Sequence, residues 1–223
     1  MARSGTGLAG ACATLTLFAA AAPAAAHPHV WVAVETTVLY DAGRVVGLRH
    51  RWTFDELYAA MAIQGLDANG DGRYEREELA ELAQVNIEGL KEFAYFTQAR
   101  LGPRELQLAA PTDYWLEYKD NVLSLQFTLP MAEPVLAEAP EFGFTVSDPS
   151  YFIAFDLAKE NPIRLSEAAP AGCRATIGAE TACAEATALV DAFKGATAGL
   201  PPDLNRAAIV GAGKTVSVSC PKS

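Results

Sequence analysis

Residues 30–52 alternate apolar and polar side chains: Val30-Trp-Val-Ala-Val-Glu-Thr-Thr-Val-Leu-Tyr40, then Asp41-Ala-Gly-Arg44, then Val45-Val-Gly-Leu-Arg-His-Arg-Trp52. A period of two puts every second side chain on one face of a pleated strand, whereas a helix would scatter the same residues around its circumference. Two such runs separated by a short Gly-containing interruption predict a β-hairpin. With Tyr40 opposite Val45, a regular register carries His29 to the level of Glu56. It also sets His50 across from Glu35, where a cross-strand ion pair is expected.

Beyond the hairpin, Thr53–Glu56 has the T-x-x-E form of a capping box and opens a helical stretch over 54–66. A long amphipathic helix is expected from about Glu75 to Gln98, with an apolar stripe running from Leu79 and Leu82 to Phe93 and Phe96. Strands are expected at Glu105–Ala109, Tyr114–Tyr118, Val122–Leu129, Phe142–Val146 and Tyr151–Phe155. After Glu160 the composition shifts to Ala, Gly and Pro, with helices near Ala184–Lys194 and Asp203–Ala208 and an alternating run at Thr215–Cys220. The fold class predicted is α+β: an antiparallel sheet with a helix–calcium loop–helix insertion after the first hairpin and C-terminal helices. A domain at 27–160 carries the insert at 54–98, and 161–223 forms an extension packed on it.

The insert carries the sharpest ligand pattern. Residues 67–78 read DANGDGRYEREE. Asp67, Asn69 and Asp71 occupy the first, third and fifth positions of a calcium loop, and Gly72 takes the sharp turn. Arg73 offers only its backbone carbonyl, Glu75 acts through water, and Glu78 supplies the closing bidentate carboxylate. A hard cation needing six or more oxygens is wrapped by this spacing. Only one such loop is found, whereas sensors work in pairs, so the ion is read as structural.

Residues 1–26 have one charge, Arg3, followed by an apolar run and the small-residue ending Ala24-Ala25-Ala26. That is the pattern of a secretory signal peptide, too short in its apolar part for a transmembrane helix. Cleavage after Ala26 would deliver a periplasmic protein that starts with His27-Pro28-His29. Two of the three histidines then fall at the new terminus. The α-amine and imidazole of His27, joined by the imidazole of His29, form a nitrogen-rich chelate suited to Zn, Ni, Co or Cu. Pro28 has no N–H to surrender, which removes binding through deprotonated backbone amides. The hairpin register brings Asp55 and Glu56 beside this terminus as oxygen donors, or alternatively as helix-capping groups.

An exported chain sees an oxidising compartment. Of Cys173, Cys183 and Cys220, the pair Cys173–Cys220 is expected to bridge, with Cys183 able to replace Cys173. Net charge of −10 repels nucleic acid and anionic lipid and favours cations. Hydrolase chemistry lacks its parts: there is no G-x-S-x-G and no H-E-x-x-H.

The His27-Pro-His-Val-Trp31 start, Trp52-Thr-Phe-Asp-Glu56, the acidic insert and Asp148-Pro-Ser-Tyr-Phe152 together resemble the bacterial domain-of-unknown-function 1007 family. That family is described as the periplasmic component of an uncharacterised ABC-type transport system, accompanying nickel/cobalt or zinc permeases. The resemblance implies that His27, His29, Asp55 and Asp148 are the functional residues and that divalent transition metals are the context. Asp148 before Pro149 also has an ordinary reading as a turn residue. The leading expectation is a non-enzymatic metal-binding accessory protein that assists a membrane permease or ABC-type transporter and holds a structural Ca²⁺. A copper oxidase with an N-terminal histidine brace, or a calcium-stabilised interaction module, is the alternative.

Overall fold

Alternating strands that bury one face need a second layer, and here that layer is another sheet. The computed structural model describes residues 29–150, 152–180 and 213–221. Along the chain lie β1 (Val30–Asp41), β2 (Arg44–Phe54), α1 (Glu56–Ala62), α2 (Ala80–Lys91), β3 (Thr97–Leu101), β4 (Arg104–Leu106), β5 (Tyr114–Lys119), β6 (Val122–Leu136), β7 (Phe142–Val146), β8 (Ile153–Leu157), β9 (Ile163–Leu165), β10 (Arg174–Glu180) and β11 (Lys214–Ser219). The first sheet runs β5-β6-β2-β1-β8, with β9 also on β1; the second runs β10-β11-β7-β3-β4. Val34, Leu48, Trp52 and Phe127 of the first sheet share one apolar cluster with Phe142, Phe144 and Val216 of the second. Within it Trp52 packs edge-on against Phe127 at 4.9 Å between ring centroids.

This overturns the α+β expectation. Of the described residues 49% are strand and 14% helix, and the strands form two sheets. The first sheet is not purely antiparallel either: β1 pairs in parallel with both β8 and β9. The expected insertion does not form as a helix–loop–helix. α1 stops at Ala62, and α2 begins only at Ala80, so turns flank the acidic loop on both sides. The long helix to Gln98 ends at Lys91, and the chain reverses through Ala94, Tyr95 and Phe96, all left-handed at φ 49°, 55° and 47°. Thr97-Gln-Ala-Arg-Leu101 then alternates buried and exposed residues and pairs with β7. Phe93 and Phe96 continued the helical stripe in sequence, but sheet pairing of the next five residues overrides that local signal. The expected C-terminal helices, residues 1–26, His27, Tyr151 and Cys183 lie outside the described residues.

The hairpin forms with one irregularity. Tyr40 pairs with Val45, but Leu39 pairs with Gly47, so a bulge leaves Val46 unpaired. Gly47 permits the crossing there, since a Cβ would stand 2.8 Å from the Leu129 carbonyl oxygen. The bulge advances the register by one residue. His50 therefore faces Thr36, and Glu35 faces Arg51. The expected His50–Glu35 ion pair is thus replaced by Arg51–Glu35 at 3.9 Å, and His50 turns inward.

Cys173 and Cys220 form a disulfide that closes the far end of the β10–β11 pair. Among the described residues no helix is long and apolar enough to cross a membrane.

Candidate metal centres

The acidic loop folds around its own side chains. Asp67 begins it: Oδ1 accepts from the N–H groups of Gly70 (2.8 Å) and Asp71 (3.2 Å), and Oδ2 from Gly72 (3.0 Å). Asn69 Oδ1 accepts from Asp71 N–H, and Asp71 Oδ1 from Arg73 N–H, each at 2.8 Å. These short Asx turns are what alternate Asp and Asn residues do locally. Gly70 and Gly72 meet the left-handed turns at φ 74° and 80° without a Cβ penalty. Glu78 folds back to close the loop, its Oε1 accepting from Ala68 (2.9 Å) and Asn69 (3.3 Å) and its Oε2 from Glu75 N–H (3.1 Å).

The first, third, fifth and last loop positions are therefore held around one stretch of backbone. Their side chains are all oxygen donors, the set a calcium ion takes. Glu75 adds a second sign of fit: its Oε2 is buried with no hydrogen-bond partner. The adjoining Glu78 carboxyl raises the Glu75 pKa, and the N–H of Glu75 lowers that of Glu78. Arg73 is held in the loop through its N–H, which donates to Asp71 Oδ1. Among the described residues no group of three His, Cys, Asp or Glu side chains stands in metal-holding geometry. Most of the loop carboxylate oxygens face backbone N–H groups.

The second candidate lies where β1 begins. His29 precedes β1 and is exposed; its N–H donates to the Phe152 carbonyl (2.9 Å), and its ring packs on Phe152 at 4.8 Å between centroids. Asp148 explains why Phe152 is there. This buried carboxylate accepts four hydrogen bonds: Oδ1 from Ser150 N–H (2.8 Å) and Oγ–H (2.7 Å), Oδ2 from Phe152 (3.1 Å) and Ile153 (2.9 Å) N–H. All its lone pairs are used, so it shapes the loop that leads into β8.

Asp55 arrives from the other side. Its Oδ1 caps α1 by accepting from Tyr58 N–H, and its Oδ2 accepts from Trp31 N–H, both at 2.9 Å; its own N–H donates to the Trp31 carbonyl at 3.0 Å. Of the two roles posed for Asp55, oxygen donor to a metal or helix cap, the cap is the one observed, and it is made beside the start of β1. His29, Asp55 and the Asp148 turn are thus gathered at one end of β1, while His27 lies outside the described residues. The bond from Asp55 to Trp31 depends on tertiary pairing and had no local signal in sequence.

His50, the third histidine, is remote in chemistry. It is fully buried, and burial lowers its pKa to about 3. Its Nδ1 lies 2.9 Å from Thr36 Oγ1, and its Nε2 lies 3.5 Å from Thr97 Oγ1. Thr97 spends its hydroxyl proton on the Tyr95 carbonyl at 2.9 Å. Nε2 therefore carries the ring proton and Nδ1 accepts from Thr36. A histidine committed in this way has no nitrogen for a copper brace.

A family model described as "Protein of unknown function (DUF1007)" matches residues 12–209. An uncharacterised protein of Haemophilus influenzae is 25% identical over 146 residues, 63% of this chain and 68% of the relative. An uncharacterised 15.5 kDa protein in the trpE 3' region of Spirochaeta aurantia is 28% identical over 99 residues, 44% of this chain and 70% of the relative.

Proposed function

The chain belongs to the DUF1007 family of proteins of unknown function, and we propose that it is an exported metal-binding accessory protein. It takes a divalent transition metal at the chain start left by cleavage after Ala26, passes it to or from a membrane permease of ABC type or similar, and uses the acidic loop for a structural calcium ion.

One observation carries the reading: His29 is anchored at the end of β1 through Phe152, where both elements that hold it are fixed by carboxylates. Asp148 sets the Phe152 turn, and Asp55 clamps Trp31, two residues beyond His29. In this reading the two Asp residues position the terminus and the nitrogen donors bind. An exposed imidazole fixed at its backbone loses little freedom on ligation. His27 adds its amine and ring to the same ion. Zn, Ni, Co and Cu all suit such donors.

The test is titration of protein beginning at His27 with each of the four ions. Saturable one-to-one binding is expected, weakened at least tenfold by His29→Ala and by one added residue before His27. Elemental analysis of protein purified from the periplasm with its native start reports the same thing independently. Equal binding by the His29→Ala protein, or a natural product containing calcium alone, overturns the proposal.

A further inference from the structure

On the outer face of the first sheet, away from both metal candidates, a cavity of about 220 Å³ opens beside β9. Its charged lining is Arg49 and Arg51 of β2, Arg164 of β9, and Glu35 of β1. The alternation of β2 places Arg49 and Arg51 on the same side, and the parallel pairing of β9 with β1 brings Arg164 alongside. Asn161, left-handed at φ 45°, and Pro162 form the wall, which is seated by a 2.7 Å bond from Thr36 N–H to the Pro162 carbonyl. Gln126 closes the side toward β6.

Three guanidinium groups around one cavity stand out in a chain of net charge −10. Internal neutralisation is incomplete. Glu35 is shared between Arg164 (3.3 Å) and Arg51 (3.9 Å), and Arg51 also reaches Glu117 at 3.6 Å. Arg49 makes one hydrogen bond, Nε–H to Thr128 Oγ1 at 3.4 Å, and no ion pair with a described carboxylate. All three cations are arginines, whose planar forks match carboxylate and phosphate oxygens in pairs.

We propose that this cavity binds a small free oxyanion bearing several carboxylate or phosphate groups. Arg49 and Arg164 would hold it, with Glu35 as an internal placeholder for one anionic group. The volume suits a compact molecule of citrate size, and the acidic remainder of the surface disfavours an anionic membrane.

Calorimetric titration with citrate and with inorganic phosphate, at constant ionic strength set by chloride, tests this. Saturable binding is expected, weakened at least fivefold by Arg49→Gln and by Arg164→Gln, and unchanged by Arg174→Gln on β10. Glu35→Gln separates ligand binding from structural pairing: it removes the competing carboxylate and is expected to tighten citrate severalfold, even if it lowers Tm. Heats that do not saturate, or Glu35→Gln binding no more tightly than wild type, would overturn the proposal. So would sedimentation with phosphatidylglycerol vesicles in the absence of citrate or phosphate binding.

Discussion

A histidine sealed among Trp52, Phe127 and two threonine hydroxyls resists protonation, and acid exposes that resistance. With the folded pKa near 3 and the unfolded value near 6.5, His50 has no effect on stability above pH 6.5. Below it the unfolded chain takes up a proton that the folded chain refuses, so stability falls by up to about 1.4 kcal/mol per pH unit until pH nears the folded value. Urea melts at pH 7.5 and 5 should differ by about 2 kcal/mol more in wild type than in His50→Gln, which stays neutral. Asp148 gives the second prediction at this scale. Asp148→Ala strands four donors of a buried turn and is expected to cost about 3 kcal/mol, with lost exchange protection at the Phe152 and Ile153 amides. Asn is a poor replacement, since its amide nitrogen would face N–H donors. The Asp-Pro turn was legible because the side chain acts only on the residues from Ser150 to Ile153 that follow it. The partner of His50 was not, because the bulge at Val46 decides which strand residue it meets.

Among elements, the acidic loop was the most readable, and the segments around it the least. Its hydrogen bonds span positions close in sequence, so residue order alone specifies them. The length of α2 and the start of β3 depend on whether residues 97–101 find β7, which sequence periodicity does not report. The loop also links the helical segment to the sheet edge: Tyr74 packs edge-on against Tyr118 of β5 at 5.0 Å, and the Arg76 guanidinium lies 4.7 Å above Trp115. In the proposed role of the loop, binding of calcium there would couple to β5. Millimolar calcium is expected to raise Tm by several degrees in wild type, with no rise in Asp67→Ala or Glu78→Gln, as read in chelator-matched melts. A rise that survives both substitutions would assign the effect to another site.

For the whole molecule, the Cys173–Cys220 bridge was read correctly from an alternating run and a terminus that needed pinning. It spans 47 residues, and removing it by Cys173→Ser with Cys220→Ser is expected to cost about 4 kcal/mol, measured in urea with and without reductant. The number of sheets was not legible: each strand records which face is buried, but not which sheet lies against it. Nor do short runs such as β9 declare a parallel partner more than a hundred residues earlier. That pairing has a kinetic corollary. β1 is the first of the described strands, yet it is flanked on one side by β8 and β9, whose last residue is Leu165. A polypeptide delivered amino end first must therefore keep its leading strand half-paired until most of its length has arrived. Slow closure of this kind leaves the leading segment open to chaperones until β8 and β9 arrive.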